Sequence, residues 1–231
     1  MLEALIFDVD GTLAETEELH RRAFNDSFAA KGLCWHWTQS DYHRLLRVTG
    51  GKERIAAHMA AIGADPVLVD IPALHADKTA RYASLMTRGA IALRPGVQAL
   101  IDEARDSGMA LAIATTTSRP NVEALAQAIW RCGAEDIFSV ITCGDEVATK
   151  KPAPDVYTLS LDRLGLEPAR AIAVEDSRNG LLSARAAGLA VIVAPSAYTA
   201  DEDFDGALAV LPDLDRLGGL TGLRQRMEDR L

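Results

Sequence analysis

Six short apolar runs punctuate the chain: Leu5 to Val9, Ala110 to Ala114, Val140 to Thr142, Ala171 to Val174, Ala190 to Ala194 and Leu208 to Leu211. Each is too short for a typical helix, and longer segments with apolar residues at helical spacing stand between them. Short buried strands alternating with helices predict a parallel sheet covered on both faces. The segment "ALAIATTT" is reached from a helix that begins near Pro95 and stops at Gly108, the ends that proline and glycine favour.

The rhythm breaks between Thr12 and about Arg94, where helical periodicity continues without a strand. Leu19, Ala23, Phe24 and Phe28 share one helical face, and Ile55, Met59 and Ile62 share another. The expected fold class is α/β: a Rossmann-like three-layer core with a parallel sheet, formed by residues 1–14 and 90–231, plus a small α-helical cap domain inserted at residues 15–89. No internal repeat or low-complexity tract is present, and the polar tail after Gly218 is expected to fray.

Composition narrows the function. With 48% hydrophobic residues in 231, the chain can bury a substantial core, which argues against disorder. The net charge of -9, with no basic run longer than two, argues against nucleic acid or an acidic membrane as a partner. No apolar run is long enough for a membrane span, and the N-terminal run is short and lacks a basic flank, so a cytoplasmic location is expected; the expected assembly state is a monomer. Cys34, Cys132 and Cys143 are odd in number and form no Cys-x-x-Cys pair, which points to free thiols.

Chemistry collects where the apolar runs end. Asp8 and Asp10 follow the first run, and Glu175 and Asp176 close the fourth. Open parallel sheets bind ligands at the carboxyl ends of their strands. Four carboxylates on one edge resist joint ionisation, and a hard cation relieves them. Oxygen donors without His or Cys favour magnesium over zinc. Thr115 adds a hydroxyl at the end of the second run. Lys151 adds an ammonium before a proline suited to a helix start, with Lys150 as the competing choice. Together these residues describe a phosphate site. Singly they do not: acidic residues after strands are often solvated turn formers, and Thr115 to Thr117 are ordinary β-branched strand residues.

Asp8-Val-Asp10-Gly-Thr, the run closing on Thr115, Lys151-Pro152 and Glu175-Asp176 resemble, in order and spacing, the four motifs of the haloacid dehalogenase superfamily. The resemblance covers nearly the whole chain, the helical insert matching that superfamily's small cap. It implies Asp8 as nucleophile, already ionised at pH 7, and an aspartyl-phosphate intermediate. Asp10 is then the acid and base, with a pKa above that of a free aspartate. Thr115 and Lys151 bind the phosphoryl oxygens. Mg2+ is held by Asp8, Asp176 and the backbone carbonyl of Asp10, with Glu175 as a water-mediated ligand or a partner of the ligands.

In the cap, "ETEELH" resembles β-phosphoglucomutase-like members, which implies that Glu17 and His20 face substrate. Glu15 stands where many relatives hold Asp, which puts a hinge role there in doubt. Lys52, in "VTGGKERI", together with Arg81 and Arg119, could hold a second anionic group, the alternative for each being a solvated charge.

The expected function is a magnesium-dependent phosphatase acting on a phosphorylated sugar. "TTTSRPNVEAL" and "VTGGKERIAAHM" look most similar to the CbbY-like branch of the superfamily, which implies xylulose-1,5-bisphosphate, a misfire inhibitor of carbon fixation, as substrate and xylulose 5-phosphate as product. The alternatives are a β-phosphoglucomutase, a phosphatase of another sugar phosphate, and a non-catalytic binding domain. Phosphonoacetaldehyde hydrolase, with its cap lysine near Lys52, fits less well because its motif lacks the second aspartate. A dinucleotide-binding module is excluded, since no Gly-x-Gly-x-x-Gly follows the first strand.

Overall fold

A computed structural model describes residues 2–89 and 91–229. The apolar runs form β1 (Ala4–Phe7), β2 (Ala110–Ala114), β3 (Val140–Thr142), β4 (Ala171–Glu175), β5 (Ala190–Val193) and β6 (Ala209–Val210). They pair in parallel in the order β3-β2-β1-β4-β5-β6. The chain winds outward from β1 to β3 and then returns to β4 on the other side of β1. A crevice therefore opens beyond the carboxyl end of β1, where winding reverses.

Side-chain alternation divides the sheet into two unlike faces. Leu5, Phe7, Leu111, Ile113, Ile172 and Val174 point into one buried cluster, which α5 (Val97–Asp106), α6 (Arg119–Trp130) and α9 (Gly219–Glu228) help to cover. Ala4, Ile6, Ala112, Ala114, Ala171 and Ala173 point into the other, beneath α7 (Asp155–Leu164) and α8 (Arg178–Ala186). Small side chains on that second face let α7 and α8 approach closely. Small residues of α8 face it too: Gly180 and Ala184 are buried, and Ala187 just past the helix is partly buried.

Between β1 and α5 lie α1 (Glu17–Ala30), α2 (Gln39–Leu45), α3 (Gly51–Ile62) and α4 (Ile71–Arg88). A separate apolar cluster of Phe24, Phe28, Trp37, Tyr42, Ile55, Met59 and Leu74 holds them. The expected boundary at residues 89 and 90 meets Ala90, which lies outside the described residues. No helix among the described residues is long and apolar enough to cross a membrane.

One expectation is extended and two need correction. The apolar face of α1 is shared: Phe24 and Phe28 enter the helical cluster, whereas Ala23 joins the sheet cluster beside Tyr82 and Met86 of α4. Ile62 is 50% exposed, because it is the last residue of α3 and the chain turns away through the left-handed Gly63. The segment after Gly218 does not fray through residue 228. It forms α9, anchored by buried Leu220 and Leu223 one turn apart.

Candidate active site

Asp8 sits one residue past β1, and its N–H donates to the Val174 carbonyl at 3.0 Å, extending the β1–β4 pairing to the site's edge. The next turn runs through Gly11 at φ +85°, where a Cβ would stand 2.3 Å from Asp176 Oδ2. Only glycine both adopts that backbone conformation and leaves room for the carboxylate. On β4, the close approach is repeated: a Cβ at Gly180 of α8 would overlap the Glu175 carboxylate, 1.9 Å from Oε2.

Lys151 binds this edge together. Its Nζ donates to Asp8 Oδ1 and Glu175 Oε1, both at 2.6 Å, and to the Ala114 carbonyl at 2.9 Å. Tyr157 Oη donates to the same Glu175 oxygen at 2.5 Å. The expected helix start at Pro152 is displaced: α7 begins at Asp155, so Lys151 lies in a preceding turn that directs it inward. Lys150 points to the cleft rim, 3.5 Å from Glu53. Buried Thr115 places its Oγ1 within 3.2 Å of the Thr117 N–H, where the chain turns from β2 toward α6.

Asp8, Glu175 and Asp176 bring one carboxylate oxygen each to within 4.8 Å of the others, all buried. Burial, with repulsion from Glu175 and Asp10, raises the Asp8 pKa to about 7, and the Lys151 ammonium offsets this only in part. Asp176 is pushed well up by burial and by Asp8 and Glu175. The protein neighbours alone therefore disfavour the ionised Asp8 expected from the sequence, since Lys151 reaches only Asp8 and Glu175 of the three carboxylates. A close set of hard oxygen donors carrying excess negative charge fits a divalent cation such as Mg2+.

Asp10 turns its side chain the other way. Its Oδ1 accepts from Thr16 Oγ1 at 2.5 Å and is 2.9 Å from His20 Nε2. His20 Nδ1 in turn lies 2.6 Å from buried Lys78 Nζ, and its ring stacks on Tyr82 with centroids 4.0 Å apart. If Lys78 donates to Nδ1, the proton of a neutral His20 is on Nε2, facing Asp10. Burial alone would raise the Asp10 pKa, but His20, Thr16 and Lys78 outweigh it and hold the group below its ordinary value. This reverses the expectation of a raised pKa: the neighbours that orient Asp10 also favour its charged form.

Of the cap residues singled out in the sequence, Glu17, His20 and Lys52 line the same cleft as Asp8 and Thr115. Glu17 Oε2 accepts from Tyr42 Oη at 2.9 Å, and Tyr42 Oη in turn accepts from Arg54 Nη1 at 2.9 Å. Lys52 lies on the rim, 3.7 Å from Asp145. Arg81 and Arg119 do not line the cleft. Arg81 pairs with Asp77 one turn back on α4 at 2.7 Å, and Arg119 with Glu123 one turn on at 2.8 Å and with Glu135. Local carboxylates at helical spacing capture both guanidinium groups. Glu15 contacts Arg94 at 3.4 Å, outside the cleft.

Sequence reasoning overlooked Lys78, His75, Arg54, Ser118 and Asn121, all of which line the cleft. Ser118 Oγ and Asn121 Oδ1 are buried without a hydrogen-bond partner among the described residues. A polar residue on an otherwise apolar helical face was the available signal for Lys78, which stands between Leu74 and Tyr82 at four-residue steps.

The family model of haloacid dehalogenase-like hydrolases matches residues 5–194. The chain is 58% identical to protein CbbY of Rhodobacter capsulatus over 213 residues, covering 92% of this chain and 94% of that protein. The crystal structure of CbbY from Rhodobacter sphaeroides in complex with phosphate superposes with a TM-score of 0.95 at 54% identity, covering 97% of this chain and 100% of that one. A D10N variant of that protein, in complex with xylulose-1,5-bisphosphate, superposes with a TM-score of 0.94 at 54% identity over 96% of this chain and 99% of the other.

Proposed function

Because the chain belongs to the haloacid dehalogenase-like hydrolases, and within them is a sugar-phosphate phosphatase, we propose that its substrate is xylulose-1,5-bisphosphate, hydrolysed to xylulose 5-phosphate through an aspartyl phosphate on Asp8. The observation that carries this reading is one cleft with Asp8 at its floor and the ammonium groups of Lys52 and Lys150 at its rim. The bisphosphate held by the similar CbbY supports it.

Lys151 engages Asp8 through Oδ1, which leaves Oδ2 free to attack phosphorus. The Thr115 hydroxyl and the Lys151 ammonium, both buried, bind the phosphoryl oxygens. Asp10 protonates the departing sugar oxygen and afterwards takes the proton of the water that opens the acyl phosphate. Held in its charged form by His20 and Thr16, it is set for the second of these tasks, and for the first it must take up a proton from solvent before the ester is cleaved. Asp8, Asp176 and the backbone carbonyl of Asp10, with Glu175 behind them, would hold Mg2+, which when bound neutralises the approaching anions. Helices α1 to α4 act in this reading as a cap over residues 91–229 of the core.

The second phosphate reaches Lys52 and Lys150, whose present partners Asp145 and Glu53 are 3.7 and 3.5 Å away and half-exposed. Loose rim pairs of this kind are worth little and are exchanged readily for a phosphate dianion. Phosphate release and product analysis across sugar mono- and bisphosphates test the reading. A Lys52→Ala variant is expected to lose about thirtyfold in kcat/KM for xylulose-1,5-bisphosphate relative to p-nitrophenyl phosphate, which has no second phosphate. Transfer of phosphate to a second sugar instead of water would overturn it in favour of a mutase.

A further inference from the structure

We infer that His75 reads the sugar: its imidazole hydrogen-bonds a hydroxyl or carbonyl oxygen on the carbon chain that spans from Asp8 to the rim lysines. The inference rests on the sugar-bisphosphate reading and adds a specificity-determining residue to it. His75 lies one turn before Lys78 on α4, and both line the cleft. Their side chains are used differently. Lys78 is committed to His20. The histidine hydrogen bonds among the described residues are made by His20 and His43, so the His75 ring has no protein partner there although it is half-buried at the cleft wall.

Its seat is made by a missing side chain. A Cβ on Gly51, at the start of α3, would lie 2.3 Å from His75 Nε2 and 2.6 Å from Cδ2. Gly51 has helical backbone, so what matters here is space. Alanine at 51 would push the ring out of its present position.

The charges around the ring fix what it can bind. Lys52, Lys78 and Lys150 act on it together with the carboxylate of Asp145, and burial followed by the lysines lowers its pKa to about 4. A neutral imidazole offers one N–H and one lone pair, which suits a hydroxyl or carbonyl. A phosphate is better served by the lysines beside it. Binding sites built to hydrogen-bond a substrate oxygen discriminate through the group left unpaired when that oxygen is absent.

The experiment compares kcat/KM for xylulose-1,5-bisphosphate and p-nitrophenyl phosphate in the wild type and in His75→Phe, His75→Asn, His75→Gln and Gly51→Ala. The ratio of the two values is expected to fall about tenfold in His75→Phe and in Gly51→Ala, the size of one neutral hydrogen bond. At least one of the two amide variants should recover most of it, because each keeps a neutral donor and acceptor. An unchanged ratio in His75→Phe, or an equal fall on both substrates, would overturn the assignment, the latter marking a role in folding or closure. Failure of the wild type to cleave any sugar phosphate would instead remove the parent reading, and the role of His75 with it.

Discussion

Asp8 and Asp176 are carboxylates raised by burial and by neighbouring carboxylates, Glu175 among them for both, and their titration makes a cation requirement measurable without turnover. A carboxyl whose folded pKa exceeds its unfolded value binds more protons when folded, so it contributes stability below the folded pKa and loses it as pH rises through that value. For Asp8 the window runs from its ordinary value of 3.8 to about 7. Cation binding demands the charged form. The increase in Tm on adding Mg2+ is therefore expected to be larger at about pH 8 than at about pH 5.5, and to vanish in Asp8→Asn. Lys78, whose pKa is lowered to about 7 by burial, has the opposite dependence, but subtracting the magnesium-free curve at each pH removes it. Equal increases at both pH values would show that the carboxylates are not the cation's ligands. Lys151 is the second residue-scale test: Lys151→Met leaves two buried carboxylates without their ammonium and is expected to cost about 3–5 kcal/mol in chemical denaturation.

At the scale of elements, catalytic precision depends on how strands hand over to turns. β1 delivers Asp8 and then leaves its direction through Gly11, so Gly11→Ala meets both a left-handed backbone and the Asp176 carboxylate. The backbone conformation alone costs about 1–2 kcal/mol. The displaced carboxylate should also raise the Mg2+ concentration for half-maximal activity at least tenfold. A variant with lowered Tm but unchanged magnesium dependence would separate the turn from the ligand set. Helices α1 and α4 are the other decisive elements. Along α1, Ala23 packs toward the sheet while Phe24 and Phe28 build the helical cluster, and Thr16 and His20 at its start reach Asp10. One helix thereby links the packing of the helical insert to the orientation of Asp10, the proposed acid–base residue.

Across the whole molecule, the helical insert meets the core through polar contacts at several points: Lys52–Asp145 at 3.7 Å, Lys150–Glu53 at 3.5 Å, His43–Asp201 at 3.1 Å and Asn179 Nδ2 to Thr49 Oγ1 at 3.1 Å. The more exposed ion pairs among them, Lys52–Asp145 and His43–Asp201, contribute about 0–1 kcal/mol each. In the proposed binding mode, Asp145 and Glu53 compete with the second phosphate for the rim ammonium groups. Asp145→Asn combined with Glu53→Gln is expected to lower KM for the bisphosphate about two- to fivefold, with little change in Tm. An unchanged KM would mean that the second phosphate does not reach Lys52 and Lys150.

The sequence by itself determined the sheet, the helical insert and the order of the chemical groups, because burial leaves a local record: apolar runs set strands, apolar periodicity sets helices, and Asp8, Thr115 and Glu175-Asp176 stand where those runs end. Only the tertiary structure decided which charges meet. Arg81 and Arg119 look the same in the sequence as Lys52, yet local carboxylates take both away from the cleft. Lys78 and His75 sit within an unremarkable amphipathic helix, and only its packing against α1 and α3 brings one to His20 and the other beside Gly51. Likewise, the rise of Asp8 follows from burial and from a neighbour as distant in sequence as Glu175, and the fall of Asp10 draws on one as distant as Lys78. Secondary structure follows from short-range pattern, whereas ionisation and ligand contacts depend on through-space distances that the fold alone sets.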